Sequence, residues 1–404
     1  MKSMMLRLLV AVMLLLACGV VAFAQGGTIT IQGQAGTFPT IQAAIDAVPQ
    51  AGTVIVNGGD HQENLVITKA VQLIGQNGAR INPATGNAIF VNNPSGSVQV
   101  IGMVFTIPAN QIGILYDAVA ATVQTGTILN CSFSGGLNSI FAREGNFRIV
   151  GNVFIGFSAT AVVAQGIAGT TSRKVRVSSN SFAGNAVAGV TVQSFSSAIT
   201  TTDAAVQVDD NLMINVKTGI LVSKCSGNVS RNEFTNAQIG MDFTDSPGVL
   251  VEQNDFSTSA SFATAFNAQG FTTAGMRLIR SNNAIVRNNT FAGGNGGIVV
   301  TQQSTGVTID ANFVRNMFTS PLGGGSGIVL TLSSSAEIHN NNIENNAFGL
   351  SVFGSTANAT NNWWGAANGP SGAGGGNGNS ISAGVPFAPF LTAPNPNAGA
   401  AQSG

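Results

Sequence analysis

A short unit recurs along the chain, and its spacing limits the folds that the chain can form. In each copy apolar and polar residues alternate, an Asn follows, and a large apolar residue stands two places later, as in "VQVDDNLM" at 206–213 and "AIVRNNTF" at 284–291. Aligned on this position, the copies fall at Met103, Cys131, Asn152, Asn180, Asn211, Asn232, Asn254, Asn289, Asn312, Asn341 and Asn362. The shortest spacings are 21 to 23 residues, and the longer ones add an inserted loop. A period of this length predicts a solenoid of stacked coils.

Two apolar columns accompany the aligned position. Residues three places before it are Val, Ile or Ala throughout, and residues two places after it are mostly Phe. Alternation with a period of two predicts short strands that bury one face. Each strand would pair with its equivalent one coil on, about 4.8 Å away. We therefore expect a parallel β-helix with the apolar columns inside.

The aligned Asn has a predicted role at the bend between strands. Asn tolerates the left-handed backbone conformation better than most residues, so we expect it to turn the chain. Its side-chain amide can also donate to, and accept from, the amide of the next coil. The aligned Asn residues from Asn152 to Asn362 are therefore predicted to form a structural ladder along the axis.

Both ends of the repeat region carry further motifs. The stretch "TFPTIQAAIDAVPQAGTVIVNGGDHQENLVITKAVQLIGQNG" at 37–78 opens it, and "NATNNWWGAANGP" at 358–370 with "ISAGVPFAPFL" at 381–391 closes it. Together with the repeat, these stretches resemble the right-handed parallel β-helix repeat proteins of the pectin lyase-like superfamily, over residues 28–392. The resemblance implies an all-β, single-stranded, right-handed parallel β-helix whose first coil is capped by a short amphipathic helix. The apolar residues of that helix would be Ile41, Ala44, Ile45 and Val48.

The first residues of the chain predict export. Lys2 and Arg7 precede an apolar run, and Ala22-Phe23-Ala24 offers a cleavage site, so residues 1–24 are interpreted as a signal peptide. Lipoprotein processing at Cys18, within "LLAC", is the alternative. The remaining chain is predicted to comprise an N-terminal cap with the first coils (25–97), the β-helix repeats (98–365), and a C-terminal cap with a Gly/Pro-rich tail (366–404). We expect a secreted or periplasmic protein with no membrane-spanning segment.

Charge and cysteine usage narrow the class of protein further. Charged residues are only 8% of the chain and the formal net charge is zero. Because a phosphate backbone is held by a surplus of Lys and Arg, we exclude a nucleic-acid partner. Beyond the signal peptide the chain has Cys131 and Cys225. The coil register separates them by roughly 15–18 Å along the axis, which is too far for a disulfide, so we expect two buried thiols.

The resemblance does not by itself bring an activity, because the superfamily includes lyases, hydrolases, esterases and binding proteins without catalysis. A polygalacturonase would need N-T-D, D-D, G-H-G and R-I-K, whereas here Asp209-Asp210 gives a D-D and no G-H-G follows. The motif sets of pectin methylesterases and pectate lyases are absent as well. Arg231 stands one coil above Asp210 in the same register, which favours an ion pair over a hydrolytic pair. No catalytic residue, metal site or cofactor is predicted.

The best candidate for a ligand face is the outward-facing position two places before the aligned Asn. It carries Asp209 and then, on four consecutive coils, Glu252, Arg287, Asp310 and His339. A line of acids, an Arg and a His on a flat sheet could bind a polar polymer or perform acid–base chemistry. Alternatively, the alternation of sign only avoids repulsion between like charges on stacked strands.

Inserted loops and aromatic residues are the other places to look for a site. Three loops are predicted near 165–174, 194–204 and 267–281, where they would leave each coil at the same edge and could wall a groove. Tyr116 is the only Tyr, and the pair Trp363-Trp364 is interpreted as a cap. The sequence therefore indicates no aromatic platform for sugar rings.

These observations leave three functions open. We favour a non-catalytic monomer that binds polysaccharide or a cell-surface glycan, or that has a structural role in the cell envelope. One alternative is a polysaccharide lyase or glycoside hydrolase that acts on uronic-acid-type polymers through an unrecognised site. The other is a surface adhesin.

Overall fold

A computed structural model describes residues 27–92, 96–117, 124–165, 174–184, 197–202, 205–267, 272–319 and 324–400 of the chain. The interpreted signal peptide, with Cys18, lies outside these ranges. Within them, no helix is long and apolar enough to cross a membrane. The chain divides into two compact units, which are a first unit of Met1–Ala168, Arg173–Ala183 and Gln402–Gly404 and a second unit of Gly169–Ser172 and Gly184–Ala401. The boundaries that the sequence suggests at residues 97 and 365 stay predictions.

The first unit consists of short strands and one helix. Its elements are β1 (Thr28–Ile31), α1 (Ile41–Ala47), β2 (Gly52–Asn57), β3 (Asp60–His61), β4 (Leu65–Ile67), β5 (Val71–Gln76), β6 (Arg80–Ile81), β7 (Ile89–Asn92), β8 (Ser97–Ile101), β9 (Val104–Ile107), β10 (Ile112–Asp117), β11 (Gln124–Leu129), β12 (Ser132–Gly135), β13 (Asn138–Ala142), β14 (Gly145–Val150), β15 (Val153–Ile155), β16 (Thr160–Gln165), β17 (Lys174–Ser178) and β18 (Ser181–Ala183).

The second unit repeats the same pattern with a helix inserted. Its elements are β19 (Ser197–Thr202), β20 (Ala205–Asp209), β21 (Leu212–Ser223), β22 (Ser226–Ser230), β23 (Glu233–Thr244), β24 (Leu250–Glu252), β25 (Asp255–Ser257), α2 (Ala260–Asn267), β26 (Ala274–Ile279), β27 (Ile285–Arg287), β28 (Thr290–Ala292), β29 (Gly296–Thr301), β30 (Val307–Asp310), β31 (Phe313–Arg315), β32 (Ser326–Thr331), β33 (Ser335–His339), β34 (Asn342–Glu344), β35 (Phe348–Phe353), β36 (Thr356–Asn358), β37 (Pro370–Gly372) and β38 (Gly378–Ile381).

Each strand pairs in parallel with the equivalent strand of the next coil, as the repeat predicts. The strands just before the ladder positions form one sheet, which we call the ladder sheet. In the first unit β2, β5, β8, β11, β14 and β17 follow one another in it, with β1 antiparallel at the edge. In the second unit the order is β20, β22, β24, β27, β30, β33 and β36. The predicted all-β parallel β-helix is confirmed.

The core consists of the two apolar columns. On the ladder sheet, Val208, Val229 and Val251 are register partners with buried side chains. In the first unit the Phe column stacks directly, with ring centroids 4.7 Å apart for Phe105 and Phe133 and 5.1 Å for Phe133 and Phe154. Helix α1 closes the first unit, and its predicted apolar residues Ile41, Ala44, Ile45 and Val48 are buried.

The backbone turns one residue earlier than the sequence predicts. The left-handed conformation belongs to the residue before the ladder Asn, with φ of 53° at Arg231, 57° at Gln253 and 53° at Asn288. None of the described ladder Asn residues has a positive φ. The prediction that the Asn itself turns the chain was therefore wrong. The preceding residue makes the turn, and this leaves the Asn side chain pointing inward, where it bonds to the next coil.

Two of the predicted loops contain strands instead. Residues 197–202 form β19 and residues 274–279 form β26, whereas residues 166–173 of the remaining loop lie outside the described residues. Met276 pairs with Met241 and Leu278 with Phe243, so β26 continues the buried columns. The described extra residues of this coil lie in α2, before that strand.

Neither described cysteine forms a disulfide, as predicted. Cys131 occupies a ladder position, and its backbone N–H donates to Asn152 Oδ1 at 2.9 Å. Burial raises the pKa of the Cys131 thiol to about 12, so the side chain is a thiol rather than a thiolate at neutral pH. The Cys225 thiol is buried too and donates to the Ser223 carbonyl at 3.2 Å.

Candidate functional site

The predicted ligand-face residues lie on one continuous line of the ladder sheet in the second unit. Register partners follow one another from strand to strand along Asp209, Ser230, Glu252, Arg287, Asp310 and His339. We call these six residues the polar row. Because neighbouring strands are about 4.8 Å apart, the row presents a polar group at each step of a nearly straight path.

One end of the row is buried rather than outward-facing. The Asp209 side chain is only 3% exposed, because Arg231 covers it. Arg231 Nη2 lies 3.3 Å from Asp209 Oδ2, and Arg231 Nε lies 2.9 Å from Asp210 Oδ1. The hydrogen bond to Asp210 and the neighbouring carboxylates raise the pKa of the Arg231 guanidinium. The D-D motif is therefore an ion-pair site, as the register of Arg231 predicts.

The middle of the row is a second ion pair. Arg287 donates to Glu252 Oε2 from Nε at 2.9 Å and from Nη2 at 2.8 Å. The other oxygen of Glu252 accepts from Asn228 Nδ2 at 3.3 Å. The Arg287 side chain is 47% exposed, so its outer face can contact a ligand while the ion pair persists.

The far end of the row is a hydrogen-bonded cluster. His339 Nδ1 lies 2.9 Å from the Thr360 carbonyl oxygen, and Nε2 lies 3.0 Å from Glu337 Oε2. The same Glu337 oxygen accepts from Asn358 Nδ2 at 2.8 Å. Both ring nitrogens thus face internal acceptors. A general base needs a nitrogen lone pair directed at the substrate, and this imidazole directs neither nitrogen away from the protein.

Asp310 separates the ion pair from that cluster. Its Oδ1 accepts from Asn340 Nδ2 at 2.8 Å, and its register partners are Arg287 and His339. The row therefore alternates donors and acceptors along its length. Such an arrangement can bond an extended polar chain at several points, but it contains no pair of carboxylates facing each other across a gap as glycosidases require.

Sequence reasoning missed a second set of charges, on β23 and β26 and at the bends that follow them. Arg277 pairs with Asp242 on adjacent strands, and Arg280 Nε donates to Asp245 Oδ1 at 2.7 Å. Both Arg residues were assigned to a loop. The alternation of apolar residues in "AGMRLI" at 274–279 is the signal that could have placed them on a strand. Across the described ranges, no three His, Cys, Asp or Glu residues are grouped so as to hold a metal ion.

The parallel coils, the Asn ladder and the polar row define a parallel β-helix protein. The family described as a right handed beta helix region matches residues 87–256 and 200–383, so the chain belongs to this family. The right-handed β-helix repeat that the sequence predicts is confirmed. The chain matches no curated protein.

Two solved structures share the fold. A mannuronic acid specific polysaccharide family 6 lyase from human gut microbiota is similar with a TM-score of 0.58 at 15% sequence identity, over 78% of this chain and 80% of the lyase. A double mutant of the periplasmic alginate epimerase AlgG is similar with a TM-score of 0.50 at 12% identity, over 84% of this chain and 94% of the epimerase. At these identities the likeness shows the fold, and the function has to be argued from the site.

Proposed function

We propose that this protein is exported and binds a polysaccharide along the polar row without cleaving it. The observation that carries the proposal is the unbroken register from Glu252 through Arg287 and Asp310 to His339. A polymer lying across these strands would meet a new charged or amide group about every 4.8 Å. Arg287 and Glu337 present exposed charges to it.

An acidic polysaccharide could contact two exposed guanidinium groups on or beside the row. A guanidinium is suited to planar carboxylates, and Arg231 and Arg287 each keep 47% of their side chain exposed after pairing internally. The lyase with the same fold is described as mannuronic acid specific, and the epimerase as an alginate epimerase. The epimerase is periplasmic, and with the interpreted signal peptide this supports a site of action outside the cytoplasm.

The internal bonding of the row supports binding over catalysis. Proton transfer requires an acid or base whose titrating atom reaches the substrate. Here His339 is bonded on both sides, and Glu252 is held by Arg287 and Asn228. Moving either group onto a substrate would break bonds that hold the row together. We therefore place binding, and no bond cleavage, on this face.

The test measures retention and product release on the same polymers. The full chain is passed over immobilised polymannuronate, polyguluronate, polygalacturonate and neutral glucan, and the eluates are assayed for unsaturated uronates and new reducing ends. We expect retention on a uronate polymer with no product. The double variant Glu252→Gln/Arg287→Gln removes both charges together, so neither is left without its partner. It should weaken retention about 10-fold or more, in line with the loss of charged hydrogen bonds.

A matched control comes from the bends that follow β23 and β26. Asp245 and Arg280 form an ion pair of similar geometry and exposure, outside the polar row. Asp245→Asn/Arg280→Gln should leave retention unchanged. Equal effects of the two double variants, or a lower melting temperature with unchanged retention in the row variant, would assign the row to structure alone. Release of products would favour the lyase or hydrolase, and binding only to whole cells would favour an adhesin.

A further inference from the structure

An open cavity lies at the C-terminal end of the second unit, away from the polar row. Its volume is about 490 Å³. Strands β32 and β35 line it together with the residues around the end of β38. The side chains that matter to the argument are Phe348, Phe353, Ser326, Ser351, Ser380 and Ser382. None of them belongs to the polar row.

Two aromatic rings at the ends of β35 remain in solvent. Phe348 is 47% exposed and Phe353 is 62% exposed. The register partner of Phe353 on the neighbouring strand is Thr331, whose hydroxyl lies 2.9 Å from that of Thr301. At this position of the outward face, β32 therefore presents the hydroxyl group of Thr331, whereas β35 presents the aromatic ring of Phe353. The packed Phe column of the core does not account for these two rings, because their faces are not covered.

Hydroxyl groups occupy the space between the rings. Ser326 Oγ and Ser351 Oγ are 2.9 Å apart across β32 and β35. Ser382 Oγ accepts from the Val352 N–H at 3.0 Å, and the Ser382 N–H donates to the Leu350 carbonyl. These bonds hold residues 380–382 as one wall of the cavity. A hydroxyl both donates and accepts, so each Ser can exchange bonds with hydroxyl groups of a ligand.

The uncharged lining of the cavity indicates which kind of ligand it can bind. No ionisable side chain is among the lining residues. A carboxylate placed there would find no cationic partner among the lining residues and so no charge-assisted hydrogen bond. An uncharged pyranose has an apolar C–H face, which can cover an aromatic ring. It also has hydroxyl groups around its edge. Its chemistry therefore matches the combination of Phe rings and Ser hydroxyls in the cavity.

We infer that this cavity binds an uncharged sugar residue of a glycan, stacked on Phe353 or Phe348 and bonded by the serine hydroxyls. The site is independent of the polar row, for which we propose an acidic polymer. A glycan that contains both acidic and neutral residues could use both sites, and each site can be tested without the other.

The experiment titrates the full chain with neutral hexasaccharides of glucose, mannose and xylose and with a hexamer of mannuronate, by calorimetry. We expect at least one neutral hexasaccharide to bind. Phe353→Ala/Phe348→Ala should weaken that binding about 10-fold or more, because the apolar face of the sugar loses its cover. The melting temperature should hardly change, since both rings are exposed. Binding of the mannuronate hexamer should be unaffected by this double variant.

Leu332→Ala is the matched control. Leu332 is 60% exposed and is not among the residues that line the cavity, so its truncation should leave affinity unchanged. Failure of every neutral hexasaccharide to bind, or equal affinity in the Phe variant and the native protein, would overturn the inference. So would a dimer in sedimentation that Phe353→Ala/Phe348→Ala dissociates, because the rings would then be an interface between copies of the chain.

Discussion

Each ladder Asn of the second unit joins its coil to the next through the same bonds. In the pairs from Asn211 to Asn362, Nδ2 of one Asn donates to Oδ1 of the next at 2.9 to 3.0 Å. The backbone N–H of Asn232 donates to the same Oδ1 of Asn254, also at 2.9 Å. The other donor of Asn232 Nδ2 is directed at the carbonyls of Val208 and Ser230. The buried Asn232 side chain thus satisfies backbone groups of two coils and bonds to the side chain of the ladder Asn on a third.

Truncating one ladder residue should therefore be costly. Asn232→Ala removes these donors and leaves buried acceptors without a partner, so we expect the free energy of unfolding to fall by about 1–3 kcal/mol. Thermal unfolding measures the loss. Asn377 is exposed and is the control, because Asn377→Ala should be within about 0.5 kcal/mol of the native protein.

Asn236, which lies outside the ladder, is unsuitable as a control. It has a φ of 54°, and its Oδ1 accepts from the Ser259 N–H at 3.0 Å. An Ala at this position would be strained, so its effect would not isolate the ladder. Equal unfolding free energies for the Asn232 and Asn377 variants would contradict the role assigned to the ladder.

Asp245 supplies a prediction about pH. The hydrogen bonds from Arg280, at 2.7 and 3.2 Å, and the charges of Arg280 and Lys224 lower the pKa of the Asp245 carboxyl. A carboxyl with a lowered folded-state pKa stabilises the fold above its unfolded-state pKa, and this stabilisation is lost as the pH falls through the folded-state pKa. Because the pair is exposed, the contribution is small.

Arg280→Gln should raise the pKa of Asp245 towards its ordinary value. Carboxyl carbon chemical shifts followed by NMR between pH 2 and pH 6 (about the span in which an Asp titrates) would measure the change. An unchanged midpoint for Asp245 would show that Arg280 does not lower this pKa.

At the scale of the strand, glycines make room for the aromatic column of the next coil. A Cβ at Gly240 would lie 2.6 Å from the Phe256 ring and 2.5 Å from the Gly275 carbonyl oxygen. A Cβ at Gly219 would meet the Phe234 ring at 2.4 Å. Gly219 lies within β21 and Gly240 within β23, and the ring contact gives the physical reason for a glycine at these positions. A Phe ring on one coil thus packs against a glycine, which has no side chain, on the coil before it. Adjacent coils can therefore stay about 4.8 Å apart.

Two neighbouring glycines of β29 allow this idea to be tested. A Cβ at Gly297 would lie 2.5 Å from the Gly327 carbonyl oxygen and 2.7 Å from Val314 Cγ1, whereas a Cβ at Gly296 meets nothing closer than 3.5 Å. We expect Gly297→Ala to destabilise the protein by about 1–3 kcal/mol through overpacking, and Gly296→Ala to have a much smaller effect. Chemical denaturation of both variants measures the difference. A similar loss for both would show that the contact with the next coil is not what selects glycine.

The predictability of the elements depends on how distinctive their residues are. The Asn ladder could be found because Asn232 and Asn254 stand at a fixed offset from two apolar columns, one of Val, Ile and Ala and one that is mostly Phe. The sequence does not reveal a second ladder. In it the N–H of Cys225 donates to Ser246 Oγ, and the N–H of Ser246 donates to Ser281 Oγ. Serine is abundant throughout the chain, so its periodic use carries little signal.

Side-chain exposure within the site was equally hard to predict. Alternation places Asp209 outward, but it cannot show that Arg231 folds back over the carboxylate. Alternation also gives no reason for Phe353 to stay in solvent while Phe291 is buried. The alternation of residues along the sequence predicts the strand register. Whether an outward side chain is covered depends on the next coil and on the C-terminal residues, whose positions only the whole fold determines.

At the scale of the molecule, stability comes from contacts between neighbouring coils, as in other solenoids. The second unit has one contact of a different kind, because residues 394–400 run across several coils. We call them the strap. Asn395 exchanges bonds with Asn342 at 2.8 and 2.9 Å, and the Gly399 N–H donates to the Ala311 carbonyl at 2.8 Å. Asn288 Nδ2 donates to the Asn397 carbonyl at 3.1 Å.

The net effect of the strap on global stability should be modest. Its hydrogen bonds, at about 1 kcal/mol each, offset part of the cost of ordering its backbone, which is about 1–2 kcal/mol per residue. The strap nevertheless covers one specific part of the surface, namely the left-handed bends that precede the ladder residues. Its removal should therefore change local opening more than the melting temperature.

Truncation after Ala393 tests this expectation by hydrogen exchange. The bend amides of Asn288, Ala311 and Asn340 bond to the next coil beneath the strap, and we expect them to exchange about 10-fold faster without it. The equivalent amides of Arg231 and Gln253 make the same bonds on coils for which no strap contact is described, so they serve as an internal control. A uniform increase at all five bends would mean that the strap stabilises the unit globally. Unchanged exchange at every bend would mean that the strap does not restrain the coils it crosses.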